Sequence, residues 1–319
     1  MNLYFHIPYC LSKCNYCAFY SVCTPPDWNR YFTELDKWDV KNPDTIFFGG
    51  GTPSLMPPEF FARLMRRVGG ADEITIEANP ATLTAEKLNA FIASGMNRLS
   101  VGIQSLDDSE LQFLGRRHDS AAARELVRLG HAAGIRVSGD FIYRDLAGAK
   151  NICRWIEELK LAHASIYELT PEPGTPLADM RIDGDEMAAA YEYLQANCPL
   201  ARYEISNYGE PCRHNQNVWD GEEYIGIGPT ACGRVRTNGI WREQSYDTNW
   251  NLIINPLDDA TRAREILMTG LRQTRGVKLS RVNQIIKLPH AQLQQCGERI
   301  CATNYGLEIL DSLLQDIMQ

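Results

Sequence analysis

The stretch Tyr4-Phe5-His6-Ile7-Pro8-Tyr9-Cys10-Leu11-Ser12-Lys13-Cys14-Asn15-Tyr16-Cys17 decides how the rest of the chain is read. Its opening residues have the β-branched and aromatic content of a short strand, stopped by Pro8. Three of the chain's 10 cysteines then follow in a C-x3-C-x2-C loop. Three thiolates on one short loop can converge on one face of an iron–sulfur cluster. A four-iron cluster held this way keeps one iron free for another ligand. The competing chemistry is a structural zinc site, which needs a fourth protein ligand; His6 or Cys23 could supply it.

Outward from this loop, strand and helix alternate. Strands are expected at residues 3–7, 45–48, 73–77, 98–103, 136–143 and 164–169, and helices at 58–67, 84–94, 120–133 and 152–161. Alternation of this kind implies an α/β fold with parallel strands and right-handed crossovers. Six units suit a partial (β/α)6 barrel, in which the strand ends and the loops after them carry the chemistry. A doubly wound sheet fits the same pattern. Beyond residue 173 the alternation stops. A helix is expected at 185–197, a short strand at 202–207, a polar, glycine-rich loop region at 212–236, and mostly helix from 262, with a final amphipathic helix at 305–318. The chain thus divides into a core (1–180), an extension that completes it (181–250) and a short, mainly helical C-terminal region (251–319).

The 319 residues carry a net charge of −8, with 44% hydrophobic and 23% charged side chains. That composition belongs to a globular protein and excludes global disorder. A pI near 5.4 argues against nucleic acid as a main partner. There is no run of about 18 apolar residues to span a membrane, and the N-terminus lacks the features of a secretory signal. The expected compartment is the cytoplasm. Stable disulfides are rare there, so the cysteines call for another explanation.

The opening segment resembles that of radical S-adenosylmethionine (SAM) proteins of the oxygen-independent coproporphyrinogen oxidase family. The resemblance continues through Phe48-Gly49-Gly50-Gly51-Thr52-Pro53-Ser54-Leu55, Glu77-Ala78-Asn79-Pro80, Arg98-Leu99-Ser100-Val101-Gly102-Ile103-Gln104-Ser105, Leu114-Gly115-Arg116-Arg117-His118, Tyr167-Glu168-Leu169-Thr170 and Tyr203-Glu204-Ile205-Ser206-Asn207, reaching about residue 277. It implies a radical-SAM barrel, a 4Fe-4S cluster on Cys10, Cys14 and Cys17, and SAM as cofactor. It also places Tyr4, Gly50, Thr52, Glu77, Gln104, Arg116 and Asp140 in contact with SAM, joined less securely by Tyr16 and Thr170. Gly51 belongs to the same glycine run, where the missing Cβ lets backbone approach a ligand. Taken one at a time, these residues have ordinary readings: a plain turn for the glycines, a solvated or paired carboxylate for Glu77. Their shared position at or near strand ends is what points to one pocket. Asp140 stands out within a strand-like run, since a lone buried carboxylate is costly.

The family has an oxidase branch, which decarboxylates propionates of coproporphyrinogen III, and a HemW-like branch of heme chaperones. The oxidases carry a further cysteine two residues after the third and an N-terminal extension. Here that position is Phe19, and the chain opens on the strand itself, so the resemblance favours the chaperone branch. This implies heme or a porphyrin as ligand, a heme-acceptor protein and an electron donor as partners. The segment Arg213-His214-Asn215-Gln216-Asn217-Val218-Trp219 is similar to the branch's HNxxYW motif, which makes His214 a candidate axial ligand and Cys212 a second; imidazole suits heme iron. The bland reading of His214 is a residue that holds its segment through hydrogen bonds. Val218 replaces the usual Tyr, Arg144-Asp145-Leu146-Ala147-Gly148 replaces the family's Gly-Leu-Pro-Gly loop near the SAM pocket, and Cys232 stands where the family has a His.

Overall fold

The computed structural model describes residues 1–282, 284–286 and 290–318. Six parallel strands form its centre: β1 (Asn2–Ile7), β2 (Thr45–Gly50), β3 (Glu73–Ala78), β4 (Arg98–Gln104), β5 (Arg136–Tyr143) and β6 (His163–Glu168). Each pairs with the next in chain order. The chemistry of alternate residues explains why they curl. On the outer face Leu3, Phe5, Ile46, Phe48, Ile74, Ile76, Leu99, Val101, Val137 and Phe141 are buried under the crossover helices. On the inner face the strands carry polar groups: Thr75 and Glu77, Arg98 and Ser100, Ser138 and Asp140, His163 and Ser165 line a cavity. A strand with one apolar and one polar face has to enclose the polar one or expose it.

Five further strands extend the sheet, four on the β1 side and one on the β6 side, giving the order β11-β10-β9-β8-β1-β2-β3-β4-β5-β6-β7. They are β7 (Asn207–Gly209), β8 (Tyr224–Ile227), β9 (Cys232–Thr237), β10 (Ile240–Tyr246) and β11 (Leu252–Pro256). The region expected to be loop at 212–236 is therefore helix Arg213–Trp219 followed by β8 and β9. Its glycines permit strand pairing: a Cβ on Gly226 would fall 2.3 Å from the Cys232 carbonyl oxygen. The strand expected at 202–207 reduces to isolated bridges at Arg202 and Glu204, with β7 starting at Asn207.

Helix boundaries follow their caps. Thr84 accepts from the Lys87 N–H, as its position suggests. Asp119, not Ser120, caps the helix Ser120–Ala132. Asp145 accepts from the Gly148 N–H and starts a helix at Leu146, six residues before the expected 152. Two short helices, Trp28–Leu35 and Asp108–Phe113, each also begin at an Asp cap and went unread in the sequence.

A second core gathers Ile266, Leu267, Leu271, Val277, Ile300, Leu307, Leu310, Leu313 and Ile317. It belongs to helix Asp259–Leu271, strands β12 (Val277–Lys278), β13 (Leu293–Cys296) and β14 (Arg299–Ala302), and helices Asn304–Glu308 and Leu310–Ile317. The mainly helical expectation for this region is thus corrected to mixed. Gly297, at φ +63°, turns β13 into β14, a hairpin that short polar strands conceal in the sequence. The expected helix at 305–318 is two helices that meet at Ile309. Parts of the expected helical tail at 283, 287–289 and 319 lie outside the described residues.

Candidate functional site

The loop after β1 carries Cys10, Cys14 and Cys17 across the carboxyl ends of the strands. It is pinned by backbone: Cys10 N–H donates to the Val22 carbonyl (3.0 Å), Asn15 N–H to Leu114 (3.0 Å) and Cys17 N–H to Cys14 (3.3 Å). Gly115, at φ +73°, lets the next turn seat against it, since a Cβ there would lie 2.8 Å from Asn15. All three thiols are free and half-buried. They form one wall of a cavity of about 600 Å³. Thr52 donates to Cys10 Sγ (3.5 Å) and Arg116 to Cys14 Sγ (3.5 Å). Burial raises the pKa of the Cys10 and Cys17 thiols.

A single zinc ion would draw its thiolates to within about 2.3 Å of one point. Three thiols on one wall of the cavity suit a larger group held by several irons. Gly51 lets the loop pack closely: a Cβ on it would stand 2.8 Å from the Pro8 backbone and 2.9 Å from Cys10 Sγ.

Two half-buried carboxyls line the same cavity. Glu77 accepts the Gly50 N–H (3.1 Å) and is pushed up to about 8, chiefly by burial and then by Asp140. Asp140 accepts from Ser100 (3.1 Å) and is pushed up to about 6, again by burial, which the serines and Arg98 and Arg116 only partly oppose. Such a pair favours a ligand that brings a positive charge or hydroxyl donors. Gln104 reaches the cavity from a bulged strand end with φ +58°. Its Oε1, Arg116 Nε and Asn79 Oδ1 are buried without partners, the signature of groups waiting for a ligand.

Of the residues expected here, Tyr16, Gly50, Gly51, Thr52, Glu77, Gln104, Arg116, Asp140 and Thr170 all line the cavity. Tyr4 does not. Its hydroxyl donates to His6 Nδ1 (3.1 Å), whose Nε2–H donates to the Tyr20 carbonyl (3.3 Å), so it supports the wall from behind. Arg144 turns outward to Glu110 (3.1 Å), and the unusual loop around it serves as a helix cap.

This chain matches the Radical SAM superfamily over residues 4–143. It is 35% identical over 327 residues to the mitochondrial radical S-adenosyl methionine domain-containing protein 1 of Mus musculus, covering 86% of this chain and 74% of that one. It is 34% identical over 269 residues to the heme chaperone HemW of Haemophilus influenzae, covering 74% and 70%, and 30% identical over 335 residues to that of Lactococcus lactis, covering 94% and 88%. The chain belongs to the HemW group of the radical SAM superfamily. Its fold is that of the solved coproporphyrinogen III oxidase HemN from Escherichia coli, with a TM-score of 0.74 at 17% identity over 98% of this chain and 89% of that one.

Against this family background, His214 is a correction. It lies at the amino ends of the strands, opposite the cysteine loop, and is 4% exposed. Asn2 donates through Nδ2 to the Glu223 carbonyl, so its Oδ1 must accept the Thr45 hydroxyl proton (2.8 Å). The Thr45 oxygen in turn accepts His214 Nδ1–H (2.7 Å). Glu73 accepts the His214 backbone N–H (2.9 Å) and pairs with Arg136 (3.1 Å). Burial drives the imidazole down to about 3. The ring packs on Phe47, centroids 5.3 Å apart, and closes the barrel floor rather than offering itself to heme. Cys212 is likewise buried, donates to Glu73 (3.4 Å) and is pushed up to about 12 by burial.

Sequence reasoning missed Thr75, Asn79, Arg98, Ser138, His163, Ser165 and Tyr167 as cavity residues. The signal was present. Polar residues recur at every second position of β4 (98, 100, 104), β5 (138, 140) and β6 (163, 165, 167), which is the mark of a polar strand face.

Proposed function

We propose that the protein is a HemW-type heme chaperone: it holds a 4Fe-4S cluster on Cys10, Cys14 and Cys17, binds SAM beside it, and passes heme to an acceptor protein. The observation that carries this reading is the gathering of three free thiols, two raised carboxyls and the unpartnered Gln104 and Arg116 atoms on one cavity. Phe19, 73% exposed at the cavity mouth where the oxidase branch has its further cysteine, favours the chaperone over the oxidase.

The cluster, when bound, supplies an electron to SAM and a vacant iron for its amino and carboxylate groups. The chain's own residues do the rest. Thr52 and Arg116 donate to cysteine sulfurs and lower the charge they present. Glu77 and Asp140 take the cationic or hydroxylated parts of the ligand, and its arrival ionises Glu77, which burial otherwise keeps protonated at neutral pH. Gly50 and Gly51 keep the wall clear. A cavity of about 600 Å³ suits one drug-sized ligand. Heme would therefore lie at the mouth, where Phe19 and Tyr167, 44% exposed, give it apolar surface.

The test uses the full chain reconstituted anaerobically with iron and sulfide. About four irons per chain are expected, followed by uptake of hemin near one per chain and its transfer to an apo-acceptor. Colourless, iron-poor protein would overturn the cluster assignment. Absence of hemin uptake would overturn the chaperone reading. Protoporphyrinogen made from coproporphyrinogen with SAM and a reductant would make it an enzyme instead.

A further inference from the structure

Below the level of Glu77 and Asp140 the cavity continues towards the floor, where Ser138, His163 and Cys212 are hydrogen-bonded but two further polar groups are not. Arg98 opens β4, six residues before Gln104, or roughly 20 Å along the strand from the end that carries the SAM contacts. Its side chain lines the cavity while the residue is 2% exposed. Among the described residues its guanidinium forms no ion pair: Glu73, at the same end of the neighbouring strand, is taken by Arg136 (3.1 Å) and by the His214 N–H. It makes no side-chain hydrogen bond there either; its field is felt by Asp140, His163, Tyr203 and Cys212 without direct contact. Thr75 is its register partner on β3. The Thr75 hydroxyl faces the same space, fully buried and without a partner. A buried hydroxyl left open in this way costs stability, so a ligand that satisfies it and also meets the unpaired guanidinium repays the fold.

We propose that Arg98 and Thr75 form a carboxylate-binding subsite deep in the barrel. The guanidinium fork matches the two oxygens of a carboxylate, and the threonine hydroxyl adds a third donor. A phosphate dianion fits poorly, because one guanidinium cannot offset two charges. The ligand chemistry is thus a monoanionic carboxylate, either a free small acid or a carboxylate arm of a larger ligand. The subsite stands on the orphaned Thr75 hydroxyl and on the Arg98 guanidinium lining the same cavity, and does not depend on the heme reading.

The test is thermal melting of the anaerobically prepared full chain in sodium propionate against sodium chloride at equal ionic strength. Propionate near ten times its dissociation constant should raise the melting temperature by about 2–4 °C. Thr75→Val should keep or improve the basal melting temperature, because it removes an unsatisfied hydroxyl, yet weaken propionate about fivefold. Arg98→Gln should abolish the response, and Arg98→Lys should retain a weaker one. No propionate-specific shift in the wild type, or an equal shift in Arg98→Gln and Thr75→Val, would overturn the subsite. A second arm separates the sources: hemin and hemin dimethyl ester are titrated into wild type and Arg98→Gln. A preference for the free acid that disappears in Arg98→Gln assigns the arm to the tetrapyrrole and moves heme from the mouth into the barrel. Equal binding of acid and ester assigns it to a free small acid.

Discussion

The two ends of the same six strands are built to opposite rules. At the amino ends His214, Thr45, Asn2, Glu73, Arg136 and Asn217 form a network in which donors meet acceptors at 2.7–3.1 Å. At the carboxyl ends Gln104, Arg116 and Asn79 keep buried atoms without partners, Gln104 sits at a positive φ, and two carboxyls are held far from their ordinary ionisation. The His214 network gives up ligand access for stability. The mouth keeps local strain and unmet hydrogen bonds, which are costs that a ligand can relieve. Two segments of comparable chemical promise, the cysteine loop and the His214 helix, therefore differ in role because of the end of the barrel each one reaches.

The largest expected effect breaks the comparison at the mouth. Cys14→Ala should abolish iron and sulfide uptake while leaving the far-ultraviolet circular dichroism unchanged. A variant that still takes up a full cluster would show that the three thiols do not act together. At the floor, His214→Ala should lower stability by about 3–5 kcal/mol in denaturant unfolding, through a cavity plus the stranded Thr45 hydroxyl. Wild-type stability in that variant would mean that the floor is not closed by this ring. The same histidine also predicts acid sensitivity. Its folded-state pKa is depressed, so the unfolded chain binds the proton first, and wild-type stability should fall as the pH drops from about 6.5 towards 3.

Glu77 has the opposite sign. Its folded pKa is raised to about 8 from an ordinary 4.5, so the unfolded chain releases its proton first, and stability falls as the pH rises through that window. Glu77→Gln should therefore be more stable than wild type by about 2–4 kcal/mol at pH 8.5 and nearly equal to it at pH 5. It should also bind SAM more weakly in equilibrium dialysis. Parallel pH profiles for the two proteins would remove the strain assigned to this end. A smaller effect sharpens the floor: Tyr203 bonds to His163 Nε2 (2.9 Å) and accepts the Cys212 N–H (3.2 Å), so Tyr203→Phe should cost about 1–2 kcal/mol. The smallest is Phe19→Ser at the rim, where stability should stay within about 0.5 kcal/mol while hemin affinity falls.

Much of the mouth was legible because its chemistry is local. Cysteine spacing and a glycine run after a strand act over a few residues, and each polar residue at a strand end is automatically at the same end of a parallel sheet. The floor was not legible in the same way. His214 reads as a ligand when only its neighbours Asn215 and Trp219 are considered, and it reads as a plug once Thr45, Asn2 and Glu73 are brought to it from more than 140 positions away. The glycines at 226, 228 and 233 misled for a related reason, since a glycine needed for close strand pairing looks the same in sequence as one in a loop.

By itself the sequence determined the strand–helix alternation, the polar and apolar faces of each strand, and the three thiols with their neighbours at the strand ends, because these depend on periods of two and 3.6 residues and on short spacings. Only the tertiary structure decided which buried groups are satisfied and which are left open. That depends on contacts between residues far apart in the chain, and it is what separates His214, closed into the floor, from Arg98 and Thr75, left facing the cavity.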